Sequence, residues 1–294
     1  MIQQLLRLTI LTTTSLSITG IAHQPQQQPQ QQQSAEEPTT PSDSAASANP
    51  QTFKTAEQLL DALDKADANL RDFSARILYS KEQGLLGDIQ TRIGNLYFLN
   101  DNNHSKRVRK FRVEFERLEM GDVVQNDSKD YIFDGRWMVE RVNNEKQFIR
   151  REVVQSKDDN YDPLAVDGPF PLPIGQSKAA VLKRFNATLL PPETEEGSLH
   201  NFYKLKLTPK SKARIDESTD ELLDESIQHL TLWYDPQTLL PWKVLLNEDN
   251  GDIKTVMLAK VKINTNLDNG QKLFDTTPPD PLTTGWRVTI EPFK

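Results

Sequence analysis

The sequence predicts an α+β fold in which a curled antiparallel sheet stops short of a closed barrel and is partly covered by helices. Three observations predict it. Short runs of alternating apolar and polar residues recur along most of the chain, separated by turns such as Asp134-Gly135, Asn143-Asn144 and Asp235-Pro236. Most of the connections are too short for parallel crossovers. Only two segments show helical spacing, too few to cover so large an apolar sheet, so the sheet must curl on itself.

The chain has 294 residues, with Lys plus Arg 35 and Asp plus Glu 42, a formal net charge of -7. An acidic chain with interspersed signs lacks the electrostatic footprint of a nucleic-acid binder. There are no cysteines. Disulfides, thiolate metal sites, a Cys nucleophile and a lipid-modified Cys are therefore excluded.

Residues 1–22 have the grammar of a signal peptide: Arg7, an apolar and hydroxylic run over residues 8–21, and Gly20 and Ala22 at −3 and −1 of a cut after Ala22. The rival reading is an uncut membrane anchor, for which the run is short of the ~20 apolar residues of a spanning helix. Residues 23–52 are mostly Gln, Pro, Ser, Ala and Thr and read as a disordered linker. The expected folded domain is residues 53–294.

Order begins near Phe53. Leu59, Leu60, Leu63, Ala66, Leu70 and Phe73 recur at spacings of mostly three and four, one apolar stripe on a helix. Thr55 and Gln58 can form a capping box at its start. From Phe73 the period changes to two, through Ala75, Ile77 and Tyr79, so a strand follows directly. Residues 87–99 and 110–118 read as further strands; in the second, Phe111, Val113 and Phe115 alternate with Arg112, Glu114 and Glu116. Residues 131–153 then make a meander of three short strands. That stretch alone reads first as an ordinary sheet face over a core; its rival is a wall facing an apolar ligand.

Residues 155–176 break the pattern with prolines and glycines, but hold Leu164, Val166, Phe170, Leu172 and Ile174. Such a loop packs on the body or lies as a lid over a cavity. Ser177 opens a short helix with Ala179, Leu182 and Phe185 towards the body. Strands follow over residues 202–207, 227–234, 241–247, 253–264 and 286–290, and residues 208–226 read as a charged excursion. The total is ten or eleven strands and two helices.

The catalytic search is negative. His23, His104, His200 and His229 share no metal spacing, and there is neither a G-x-S-x-G elbow nor a Walker loop. Asp158-Asp159, Glu195-Glu196 and Asp220-Glu221 read as solvated loop residues rather than paired catalytic carboxylates. No catalytic residue, metal or cofactor is expected. A curled sheet with a partial lid encloses an apolar cavity, which is a binding architecture. Alternatively, the helices fill the concave face and leave no cavity.

Six motifs in order give the chain a resemblance to the periplasmic outer-membrane lipoprotein carrier family, LolA-like. They are Leu70-x-x-Phe73-x-Ala75; Gly94-Asn95-Leu96-Tyr97-Phe98; Asp134-Gly135-Arg136-x-Met138-Val139; Leu205 through Thr208-Pro209-Lys210; Leu232-x-Tyr234-Asp235 with Leu239-Leu240-Pro241; and Asp249-x-Gly251 with Phe274-x-x-x-Pro278-Pro279. The match runs over residues 53–281. It implies an incomplete eleven-stranded barrel closed by helices. It also implies a soluble monomer in the periplasm that takes lipoprotein acyl chains or another lipid from an inner-membrane donor to an outer-membrane acceptor. In that family an Arg-Pro pair follows the G-x-L strand, and its arginine holds the empty lid closed. Here Leu99 is followed by Asn100-Asp101-Asn102-Asn103, and the next basic residues after His104 are Lys106, Arg107 and Arg109, so the residue that holds the lid is left unassigned.

By alternation, the expected cavity wall is Tyr97, Phe111, Val113, Phe115, Trp137, Val139, Leu205 and Leu232, with Leu182 and Phe185 from the lid. The rival function is a periplasmic sensor or interaction module on the same fold, which carries a second C-terminal domain in the sensors it resembles.

Overall fold

The computed structural model describes residues 52–101, 108–154, 171–194, 201–210, 227–267 and 270–293. The expected leader and all but the last residue of the expected linker lie outside these. So do His23, His104, His200, the three carboxylate pairs, the loop residues Leu164, Val166 and Phe170, and most of the charged excursion. The chain divides into Met1–Ser47 and Ala48–Lys294, and everything below belongs to the second unit.

One twelve-stranded sheet, curled and not closed, forms the body. Its order is β12-β6-β5-β4-β3-β2-β1-β11-β10-β9-β8-β7. The left arm is a continuous meander of β1 (Asp72–Glu82), β2 (Ile89–Asp101), β3 (Val108–Met120), β4 (Val123–Phe133), β5 (Trp137–Val142) and β6 (Gln147–Glu152). The right arm is β7 (Phe185–Thr194), β8 (Asn201–Pro209), β9 (Ile227–Tyr234), β10 (Pro241–Glu248) and β11 (Ile253–Ile263). The arms meet where β1 pairs with β11, Phe73 opposite Ile263 and Ile77 opposite Leu258. Every pair is antiparallel except the last: β12 (Arg287–Glu291) runs parallel to β6. The expectation of a wholly antiparallel sheet is corrected there. The connection from β11 crosses the outer face first, so β12 reaches the edge from the same end as β6.

Two further differences from the sequence reading have local causes. The first half of β4 carries no alternation (VVQNDSKD), because its side chains are mostly solvated, so periodicity gives no strand there. β7 (FNATLLPPET) has two consecutive prolines; it is an edge strand, and they sit where its register with β8 shifts between Leu190 and Glu193.

Period two sorts the sheet into two faces. On the inner face, cross-strand rows run Phe133–Phe111–Phe98–Phe73 and Tyr131–Val113–Leu96–Ala75. Leu189–Leu205–Leu232–Val244–Val256 continues the pattern on the right arm. Phe73 stacks on Phe98 at 5.2 Å between ring centroids. Burying each such ring stabilises the fold by ~1.5–3 kcal/mol. Gly94 sits at a register shift between β2 and β3, where a Cβ would collide with the Glu114 carbonyl, so only glycine permits this close approach.

Four helices accompany the sheet among the described residues: α1 (Ala56–Asn69), α2 (Lys178–Arg184) and the one-turn α3 (Gly270–Leu273) and α4 (Pro281–Thr284). Thr55 caps α1 by accepting from the Gln58 N–H, while the Gln58 side chain accepts from Lys54 N at 2.8 Å, one residue short of the expected reciprocal bond to Thr55. The α1 stripe buries Ala56, Leu59 and Leu60 against the inner face. On α2, Val181 is the buried residue and Ala179 is exposed; the backbone leaves the helix at Arg184, and Phe185 enters the core as the first residue of β7.

Candidate functional site

Between α1 and the inner face lies an apolar cavity of about 150 Å³. Leu60, Leu63 and Ala66 of α1 form its roof, Leu205 and Leu207 of β8 its floor, and Ile174 one wall. The turn from Tyr234 to Pro241 between β9 and β10 also lines it. Tyr234 is fully buried, and burial pushes its phenol well above the ordinary value, so it stays neutral. A cavity of this size is about that of a benzene-sized molecule. Lipid-sized pockets are larger, ~300–1,000 Å³.

What closes it can be read bond by bond. Residues 171–177 run as a strap beside α1, with Leu172 and Ile174 buried, as expected for an apolar loop that packs on the body. Gly175 has φ +69, and a Cβ there would collide with the Asp67 carboxylate and the Arg109 guanidinium. That absence of a side chain lets Arg109 of β3 reach both partners: Nη2 donates to the Gly175 carbonyl and lies 3.5 Å from Asp67 of α1. Further along α1, Asp64 accepts the Lys178 backbone N–H at 3.0 Å, and Asp61 accepts the Lys178 ammonium at 2.9 Å. Asp61, Asp64 and Asp67 recur every three residues, so one edge of the C-terminal half of α1 holds the strap and the start of α2. At its first turn Phe53 meets Tyr203 edge to face at 4.8 Å.

The far end of α1 is fixed differently. Asn264 Oδ1 accepts from Arg71 N at 2.8 Å, its Nδ2 donates to Asn69 O at 3.1 Å, and Asn100 Nδ2 donates to Leu70 O at 2.6 Å. This joint is held by backbone and amide groups. The Asp61–Arg109 edge is instead charged and partly exposed.

The expected wall residues do not all share a face. Phe111, Val113, Phe115, Leu205 and Leu232 are on the inner face, with Phe185 and partly buried Leu182 in the same cluster, and Leu205 lines the closed cavity itself. Tyr97, Trp137 and Val139 are on the outer face. Leu96 and Phe98 take the inner positions of β2, which turns Tyr97 outward opposite Arg112. Met138 lies opposite Phe133, which turns Trp137 and Val139 outward, where Trp137 meets the Arg150 guanidinium at 4.0 Å. A shift of one residue in the alternation exchanges the faces. The shift is easily made here because both faces of β2, β4 and β5 are apolar. The outer face is covered by the C-terminal strap: Phe274, Trp286 and Val288 pack with Ile132, Val139 and Phe148.

Sequence reasoning missed the roles of Ile174 and Leu239 as walls, and of Arg109 and the three α1 aspartates as a clasp. The aspartates carry a signal, since they share a period of three beside the apolar stripe. Arg109 carries none, because its partners are a backbone carbonyl and a carboxylate far away in the chain. Among the described residues no group of His, Asp and Glu could hold a metal ion. His229 pairs with Asn247 at 3.1 Å on the outer face, and burial lowers its pKa, helped by Lys206. No helix of the described residues is long and apolar enough to cross a membrane.

An open-edged, curled sheet with a helix over its inner face defines a fold of the incomplete-barrel class. No family model and no curated protein matches the sequence. Solved structures do. An uncharacterized conserved protein from Thermus thermophilus is similar at a TM-score of 0.46 and 12% identity, covering 80% of this chain and 99% of that one. MucB in the Pseudomonas aeruginosa MucA/MucB complex is similar at a TM-score of 0.41 and 13% identity, covering 74% of this chain and 60% of that one. A LolA superfamily protein from Nitrosomonas europaea is similar at a TM-score of 0.32 and 14% identity, covering 76% and 98%. These are likenesses of fold, and the LolA-like resemblance drawn from the sequence motifs recurs among them.

Proposed function

We propose that the protein is an exported, non-enzymatic carrier that holds the acyl chain of a lipoprotein or another lipid between α1 and the inner face of its sheet. One observation carries the proposal: a mainly apolar pocket roofed by a helix that is held at one end by amide and backbone bonds and along its edge by charged groups. Opening exposes Leu59 and Leu60 of α1, at a cost on the order of 3–6 kcal/mol. Roughly four to eight acyl methylenes entering beneath the helix, at ~0.8 kcal/mol each, offset that cost. Binding is then favourable for a long chain and readily reversible, as hand-over between a donor and an acceptor requires. In the open form Phe111, Val113, Phe115, Leu205 and Leu232 form the wall, and Arg109 releases Gly175 and Asp67.

The test is native mass spectrometry of the chain purified from an exporting host, with lipid extraction of the same sample. One acylated species per chain is expected, with faster uptake of added lipid by Arg109→Leu, whose clasp is broken. A mass without ligand that stays so when the chain is offered a lipoprotein sinks the proposal.

A second reading, a module that docks on another protein, has one observation in its favour. Leu85 and Leu86 at the β1–β2 turn, with Val123 and Val124 at the start of β4, are strongly exposed at the same end of the sheet. Uptake unaffected by Leu85→Ser together with Val124→Ser would separate this surface from the carrier function.

A further inference from the structure

Leu239 occupies a backbone conformation that leucine avoids. Its φ is +55, in the left-handed region where a Cβ crowds the following carbonyl and where glycine or asparagine is the usual residue. The turn that holds it there is over-determined. Asp235 Oδ1 accepts from the backbone N–H groups of Gln237 at 3.0 Å and Thr238 at 2.8 Å, and from the Thr238 hydroxyl at 3.0 Å. The Thr238 hydroxyl in turn accepts from Leu240 N at 3.3 Å. Asp235 N donates to the Leu240 carbonyl at 3.0 Å, and Leu239 N donates to the Asp235 carbonyl at 2.9 Å.

None of these bonds uses the Leu239 side chain. A glycine at this position would keep every one of them with less strain. What leucine adds is its isobutyl group, which lines the cavity and is packed against the main core. Strain held in place by surrounding bonds points from an observed outlier to a function for the group it positions. The neighbouring walls, Leu205, Leu207 and Leu240, sit on or beside strands and cannot change without disturbing the sheet. Leu239 projects from a turn and can.

We infer that Leu239 is the stop that sets how long an unbranched acyl chain the cavity accepts. The inference rests on the carrier reading and deepens it: the ligand is a single saturated chain that runs between α1 and β8 and ends against the β9–β10 turn. Leu239 is then a specificity-determining residue. Removing its side chain lengthens the preferred chain, and enlarging it shortens that chain.

The experiment is a displacement titration on the full chain, using saturated fatty acids that lengthen by two carbons at a time. In the wild type, affinity rises by about fourfold per added methylene until a break, beyond which it is flat or falls. Leu239→Gly and Leu239→Ala move the break to chains about two to four carbons longer, the room left by the missing side chain. Leu239→Phe moves it the other way. Leu239→Ala and Leu239→Phe keep a side chain and guard against a loss of fold peculiar to glycine; circular dichroism checks all three. The same break in every folded variant overturns the stop and leaves the carrier reading standing. A wild-type chain that binds no member of the series overturns both.

Discussion

On the inner face of β2 and β3, Leu96, Phe98, Phe111 and Val113 belong to one large cluster with the stripe of α1. The residues between them, Tyr97 and Arg112, face a different covering: a C-terminal strap through α3 and β12, whose buried apolar cluster among the described residues is Ile132, Val139, Phe148 and Phe274. The inner contact is aliphatic and aromatic. The outer one is laced with guanidinium groups. Arg141 lies 5.8 Å from the Phe148 ring and 5.7 Å from the Trp286 ring, and Arg112 pairs with buried Asp130 at 3.0 Å. The difference teaches that the same strands serve two purposes. Beneath α1 the inner face is built from apolar groups whose packing is not directional, while the outer face is built from geometry-dependent pairs.

Mutations on the two faces should separate along this line. Phe98→Ala, at the centre of the inner stack with Phe73, should cost about 3–5 kcal/mol in urea unfolding, because a rigid neighbourhood of rings cannot collapse into the cavity. Phe274→Ala on the outer strap should cost less, about 2–3 kcal/mol, because the strap can settle onto the sheet; lipid uptake by the folded variant should be unchanged. Equal losses of uptake in both would erase the distinction between the faces. Thr276→Val removes the hydroxyl that donates to Asp134 at 2.5 Å, the bond that ties the strap to the β4–β5 turn; about 1 kcal/mol is expected from the same unfolding curves. Leu85→Ser, at 93% exposure, should change stability by no more than about 0.5 kcal/mol. A larger change there would mean that the tip is covered in solution.

Much of the fold was legible because its elements obey simple periods. The spacing of Leu59, Leu60 and Leu63 gave α1, and the switch to alternation at Phe73 gave the start of β1 to within a residue. The glycine of Asp134-Gly135 turns with φ +102 as the hairpin requires, whereas in the next turn the left-handed residue is Lys146 rather than either asparagine. The site was less legible. Alternation finds two faces but does not say which is inner, and where a distant segment covers the outer face, as Phe274 and Trp286 do for Val139, both faces read as apolar. The Arg109 clasp depends on a strap whose glycine is needed for what it lacks, and no local pattern marks such a contact.

The junction between the arms has a consequence for the order in which the molecule can be made. The segment that leaves α1 is bonded at Arg71 to Asn264, 193 positions later, and β1 then pairs along its length with β11. Loop closure over such a separation must precede the contacts that reward it, which slows folding. A chain crossing a membrane with its N-terminus first would present the apolar stripe of α1 and the free edge of β1 long before β11 arrives. Until then the lid helix has only half a floor, and the edge of β1 is open to wrong partners. Late folding, after nearly all of the strands are available, is thus built into the position of β1 at the centre of the sheet.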